Sequence, residues 1–197
     1  MPVADTEKLE RRERILAEVR RCVIQHGFHA TGMAEISEAC GMSAGNLYRY
    51  FPNKAAIVRA IADETRSRVM PVFQRLEQHD DPVEGIVQII VFSVQEYCRG
   101  TEARLWTEAL AEASRNKPIR ELWIAFDREM RDMLKRLLKR AVDTGRAPAD
   151  LDQEAASVWL VALLDGAIAR VSVQPELGIE RTMTTLSESI RRCLGRR

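Results

Sequence analysis

Apolar residues recur every three to four positions along almost the whole chain, the period of a helix that buries one face. Ile15, Val19, Cys22 and Val23 form such a stripe and predict a first helix over 6–26, ended by Gly27. Short helices follow at 33–40 and 44–50. A fourth starts at Lys54 behind a good N-cap, Asn53, and carries Ile57, Val58, Ile61, Val69, Val72, Phe73 and Leu76. Pro71 interrupts that stripe, so a kink or break is expected near Val69–Met70. Asp81-Pro82 restarts the chain as N-cap and first helical residue, and Glu84 has capping-box spacing. A fifth helix, apolar nearly all round, runs to about Cys98. Further helices are expected at 101–114, 118–144, 153–173 and 179–194. Nothing reads as a strand. The pattern predicts an all-α protein of about nine helices, with a small N-terminal domain over 9–69 and a larger helical bundle over 82–197.

Within the first domain, residues 32–51 have a distinct organisation. Ile36, Ala39 and Cys40 mark one short helix; Gly41 permits a sharp turn; Ser43 can cap the next helix. Leu47 and Phe51, four apart, face inward and leave Asn46, Tyr48 and Arg49 outside. This is a helix-turn-helix pattern, whose second helix enters the DNA major groove N-terminal end first. Ser43, Ala44, Asn46 and Arg49 occupy that end; Ala44 and Gly45 leave room for close approach. Arg49 suits a bidentate pair with guanine, and Asn46 a hydrogen bond to a base edge. The plainer alternative makes Tyr48 and Tyr50 half-buried supports and Arg49 a solvated charge.

Residues 43–54, SAGNLYRYFPNK, closely resemble the signature of the TetR family of bacterial transcriptional regulators, and Gly27-Phe28, Thr31 and Ile36 fit at the right spacing. The motif covers roughly the first 60 residues; beyond them the resemblance is one of general plan. It implies phosphate contacts from Tyr48, Lys54, Thr31 and Tyr50. Gly32 departs from the Ser or Thr expected to cap the second helix, which shifts weight to Thr31 and the backbone amides. The resemblance also implies a C-terminal domain that binds a small-molecule effector and pairs with a second copy through the last two helices. Trp159, Leu163, Ala167 and Met183 are the interface candidates. The fold expected is therefore a three-helix DNA-binding domain followed by a ligand-binding and dimerisation bundle.

Charge adds little to this picture. The net charge is +1, with 46% hydrophobic and 30% charged residues. Residues 1–54 hold eight Lys/Arg against seven Asp/Glu, so the case for DNA rests on the motif. Cys22, Cys40, Cys98 and Cys193 lack C-x-x-C spacing, the N-terminus is charged, and the longest unbroken apolar run is Val158–Leu164. A cytoplasmic protein with reduced thiols is expected, without a membrane partner. Cys22, His26 and His29 have ligand-like spacing, but Gly27 breaks the helix between the histidines, so no metal or cofactor is expected. No catalytic motif is present, which argues against an enzyme.

For the effector, Phe92, Glu96, Trp106, Glu108, Trp123, Phe126 and Met130 are the candidate pocket residues. Position by position, aromatic and Met residues at helical spacing are ordinary core. The polar ones carry more information, because a buried carboxylate needs a partner or a ligand. Glu108 and Glu112, four apart, would favour a cationic effector if they faced the cavity; the plainer alternative has one or both facing water or paired with Arg or Lys. The combined reading is a ligand-responsive repressor that binds a near-palindromic operator on double-stranded DNA as a homodimer. Its rivals are a helical protein-interaction module that does not use DNA, and a DNA-binding activator.

Overall fold

The computed structural model describes residues 3–195, with side chains from Glu7 onward. These residues form nine α-helices and one short 3-10 turn, with no strand. They divide into two compact units. The last two positions of the bundle expected over 82–197 lie outside the described residues.

The first unit contains α1 (Val3–His26), α2 (Met33–Ala39), α3 (Ala44–Tyr50) and the start of α4 (Lys54–Glu77). It also takes Glu108–Leu122, the end of α6 (Glu102–Ala113) and the start of α7 (Lys117–Asp143). So the stretch from residue 82 onward is shared between the two units. Ile15, Leu16, Val19 and Val23 of α1 meet the demand of their stripe by being buried, as are Phe28, Ile36, Leu47, Phe51 and Ile57. Gly41 has φ +60 between α2 and α3, the left-handed conformation the tight turn requires. Gly32 caps α2 without a side-chain hydrogen bond, and the helix starts at Met33 all the same.

The second unit contains the rest of α4, α5 (Pro82–Tyr97), the start of α6, most of α7, α8 (Gln153–Val173), the 3-10 turn Pro175–Leu177 and α9 (Ile179–Leu194). Ile86, Ile89, Ile90 and Val94 of α5 are completely or almost completely buried at its centre. Leu134, Leu137 and Leu138 of α7, Leu160 and Ile168 of α8, and Ile190 of α9 pack around them. Asp81 caps α5 by accepting from the Val83 and Glu84 amides at 3.0 and 3.3 Å. Glu84 does not complete a capping box: its carboxylate takes both arms of Arg191, at 3.0 and 3.1 Å. Asp152 caps α8 through the Ala155 amide at 3.0 Å.

Of the kink or break expected near Val69–Met70, the break does not occur. α4 is one continuous helix with Pro71 inside it. Pro71 is exposed, whereas Val69 and Phe73 on either side are buried. Burying two such side chains stabilises the helix by roughly 3–6 kcal/mol, enough to offset the ~3 kcal/mol cost of an internal proline.

Candidate nucleic-acid interface and effector cavity

α3 is held by its ends and by one face. The Ser43 hydroxyl accepts from the Asn46 amide at 3.3 Å. Leu47 and Phe51 are buried, at 0% and 1% exposure. That anchoring turns Ser43, Ala44, Gly45, Tyr48 and Arg49 out to solvent, with Asn46 and Tyr50 partly exposed. Arg12 of α1 lies over the Phe51 ring, 5.2 Å from its centre. The open face at the start of α3 thus carries one guanidinium, that of Arg49, and leaves open space at Gly45, where a Cβ would meet no atom within 4 Å.

Two of the residues expected to touch phosphate have other partners. Thr31 is fully buried, and its hydroxyl donates to the Gly27 carbonyl at 2.8 Å. Lys54 is partly buried; its ammonium donates to the Phe28 carbonyl and lies 4.2 Å from the centre of the Phe28 ring. Burial holds the Lys54 ammonium below the ordinary lysine range, with the nearby Glu112 carboxylate opposing that effect. Both side chains fasten the loop between α1 and α2.

The same loop explains Glu108 and Glu112, which sequence reasoning considered for a cavity. The Glu108 carboxylate accepts from the Phe28 backbone amide at 2.8 Å. Gly27 has φ +81 there, and a Cβ on it would meet the Glu108 carboxylate at 3.4 Å. Glu112 is buried and takes Arg115 at 2.7 Å and Asn116 at 3.2 Å, with His29 at 3.9 Å. Burial alone would raise its pKa, but the hydrogen bonds from Arg115 and Asn116 outweigh that and hold it below the ordinary carboxylate range. Both carboxylates thus have partners within the first unit. The pairing is invisible in sequence because it joins residues 80 positions apart.

In the second unit, Trp106 stacks 4.4 Å from Tyr97 and 4.6 Å from Trp123, with Phe126 at 6.4 Å. These rings, except Tyr97, line a small cavity with Met130, Val161, Leu164, Asp127 and Asp165. Four expected pocket residues, Trp106, Trp123, Phe126 and Met130, therefore come together. Phe92 and Glu96 do not join them. Phe92 packs edge-on against Phe73, 6.0 Å between centres. Glu96 pairs with Arg99 at 2.7 Å and Arg68 at 3.7 Å. A further residue on this wall is Asp165. Burial, reinforced by the negative charge of Asp127, pushes its carboxyl up to about 6; the Trp106 indole N–H opposes this without reaching hydrogen-bonding geometry. Among the described residues no group of three His, Cys, Asp or Glu side chains is arranged to hold a metal ion.

α8 is long and apolar enough to cross a membrane by length and composition alone, but Leu160, Leu164, Ile168 and Val171 are built into the core of the second unit. Its other side carries Val158 and Val173, at 50% and 75% exposure. The interface candidates Trp159, Leu163, Ala167 and Met183 are all partly exposed at the edge of this core.

Residues 15–61 match the bacterial regulatory proteins of the tetR family, and residues 82–195 match the C-terminal domain of BetI-type transcriptional repressors. The chain belongs to the TetR family of bacterial transcriptional regulators. It is similar to the transcriptional repressor AcnR of Corynebacterium diphtheriae, 26% identical over 197 residues that cover 97% of each chain. The structure resembles Salmonella enterica GusR, with a TM-score of 0.77, 29% identity and coverage of 94% of this chain and 96% of that one. It shares its fold with SmeT, solved as a triclosan complex, at a TM-score of 0.79, 24% identity and coverage of 95% and 92%. This TetR-family member is a helix-turn-helix regulator of transcription from a non-enzymatic family.

Proposed function

We propose that this regulator is a ligand-responsive repressor that binds a near-palindromic operator as a homodimer. The observation that carries the reading is the exposed polar start of α3, backed by the buried Leu47 and Phe51. Ser43, Ala44, Gly45, Asn46 and Arg49 face the bases, and Tyr48 and Tyr50 face the phosphates. Thr31 and Lys54 act indirectly, by fixing the loop that leads into α2. A two-fold dimer through α8 and α9 sets two α3 helices about one DNA turn apart, ~34–36 Å. The apolar residues exposed on α8 support that pairing, since such surface favours a partner.

The effector acts through the cavity at Trp106. A small molecule bound there displaces Trp106, and the same helix carries Glu108 and Glu112 to the Gly27–Thr31 loop. A coupling of ~1–3 kcal/mol is enough to release DNA. SmeT's complex with triclosan supports a small-molecule effector by analogy. The test is anisotropy of a labelled operator duplex across a salt series. Phosphate contacts predict a steep linear fall of log affinity with log salt. Binding that is flat in salt would point instead to a protein-interaction module.

A further inference from the structure

Most carboxylates set in the body of the second unit have a cation beside them. Glu96 has Arg99 and Arg68, Asp127 has Arg131 at 2.8 Å, and Glu84 has Arg191. Asp165 differs. Among the described residues it has no ion-pair partner, yet it lies on the cavity wall, half-buried, next to a second carboxylate. The rest of that wall is aromatic and aliphatic. The ring centres of Trp123 and Phe126 lie 4.6 and 6.4 Å from that of Trp106. The Trp106 indole N–H and the Tyr97 hydroxyl beside it are buried without hydrogen-bond partners. An uncompensated carboxylate is expensive to keep in such a place unless something positive joins it. Aromatic faces are attracted to the same charge.

We propose that the cavity walled by Trp106, Trp123, Phe126 and Met130 and bounded by Asp165 and Asp127 binds a small organic cation, an ammonium group on an apolar body. The inference rests on the reading of this cavity as the effector site, and it names the chemical class of the effector. The rings hold the apolar body and the face of the cation, and Asp165 supplies the counter-charge. Asp127 is already engaged by Arg131, so Asp165 is the carboxylate free to pair. Neutral or anionic molecules of the same shape leave Asp165 unpaired or repelled, and are discriminated against. The empty cavity is about 20 Å³, space for roughly one water, so the rings must part for the cation. Trp123 and Phe126 are only partly buried and can swing outward; Trp106 is the ring that α6 carries.

The test uses calorimetry on the full chain at pH 7.5, without DNA. The probes are tetraethylammonium, benzyltrimethylammonium, neopentylbenzene (the uncharged carbon isostere of the latter) and benzenesulfonate. At least one cation is expected to bind ~10-fold or more tightly than the isostere and the sulfonate. Asp165→Asn is expected to remove that preference, and Trp123→Leu, at a partly exposed position, to weaken both cation and isostere. Equal binding of cation and isostere, cation binding unchanged in folded Asp165→Asn, or no binding of either cation overturns the proposal. DNA release is measured separately. A cation that binds through Asp165 but leaves operator affinity unchanged would sink the effector-site reading and keep the cation site. Release by an uncharged ligand would do the reverse.

Discussion

At the scale of single residues, the face of α3 and the loop before α2 make opposite predictions. Arg49 is exposed, and on the proposed function it has one basic side chain's worth of base recognition to lose. Arg49→Ala is expected to weaken operator binding by roughly 10–100-fold with little change in thermal stability, read by anisotropy and calorimetry. Thr31→Val should do the contrary. It removes a buried hydroxyl that donates to Gly27, costing about 1 kcal/mol in urea unfolding, and lowers operator affinity of the folded protein only by the few-fold that a slightly loosened loop allows. A large affinity loss in Thr31→Val without loss of stability would return that side chain to the phosphates. Asp165 gives a pH signature. Its carboxyl is raised above the ordinary value by burial and by Asp127 of α7, with the Trp106 N–H of α6 opposing. The folded state therefore holds this proton more tightly than the unfolded chain. The associated stability is present below about pH 4 and lost as pH rises through about 6. Asp165→Asn is expected to stabilise the ligand-free protein at pH 7.5, on the order of 1 kcal/mol allowing for solvent screening, and by much less at pH 4.

At the scale of elements, what was legible in the sequence is what is local. Ser43, Asp81 and Asp152 announce the starts of α3, α5 and α8 because a cap needs only amides two or three residues on. Leu47 and Phe51 declare the buried face of α3 by their spacing alone. Glu84 shows the limit: its spacing fits a capping box, but Arg191, 107 positions away, takes the carboxylate. Pro71 shows another, since proline chemistry argues for a break and the burial of Val69 and Phe73 holds α4 whole. Glu108, Glu112, Lys54 and Thr31 gather on one loop through contacts no local pattern carries. That cluster has a consequence for α6. Glu108→Ala leaves the Phe28 amide without its acceptor, and is expected to cost about 1–3 kcal/mol of stability and to loosen the approach to α2. Operator affinity should fall even though Glu108 is not on the α3 face. Glu108→Gln, which keeps an accepting oxygen, should recover most of it. Equal affinity in Glu108→Ala and the native protein would detach this loop from DNA binding.

At the scale of the whole molecule, the account requires two copies. Val158 and Val173 are exposed on α8, so charging them disturbs no core contact of a single chain. Val158→Glu combined with Val173→Glu is expected to give a folded monomer by sedimentation, with operator affinity reduced at least ~100-fold because only one half-site is held. A folded dimer from that variant would move the interface elsewhere. The central claim, a two-fold sequence reader, is tested most directly by DNA selection. Purified protein is incubated with fragments of the source genome, the retained fragments are sequenced, and the bound positions are mapped. The account predicts a few sharp peaks, each centred on a near-palindrome whose half-sites lie about one helical turn apart. No enrichment at low salt, from protein shown to be folded, would contradict it.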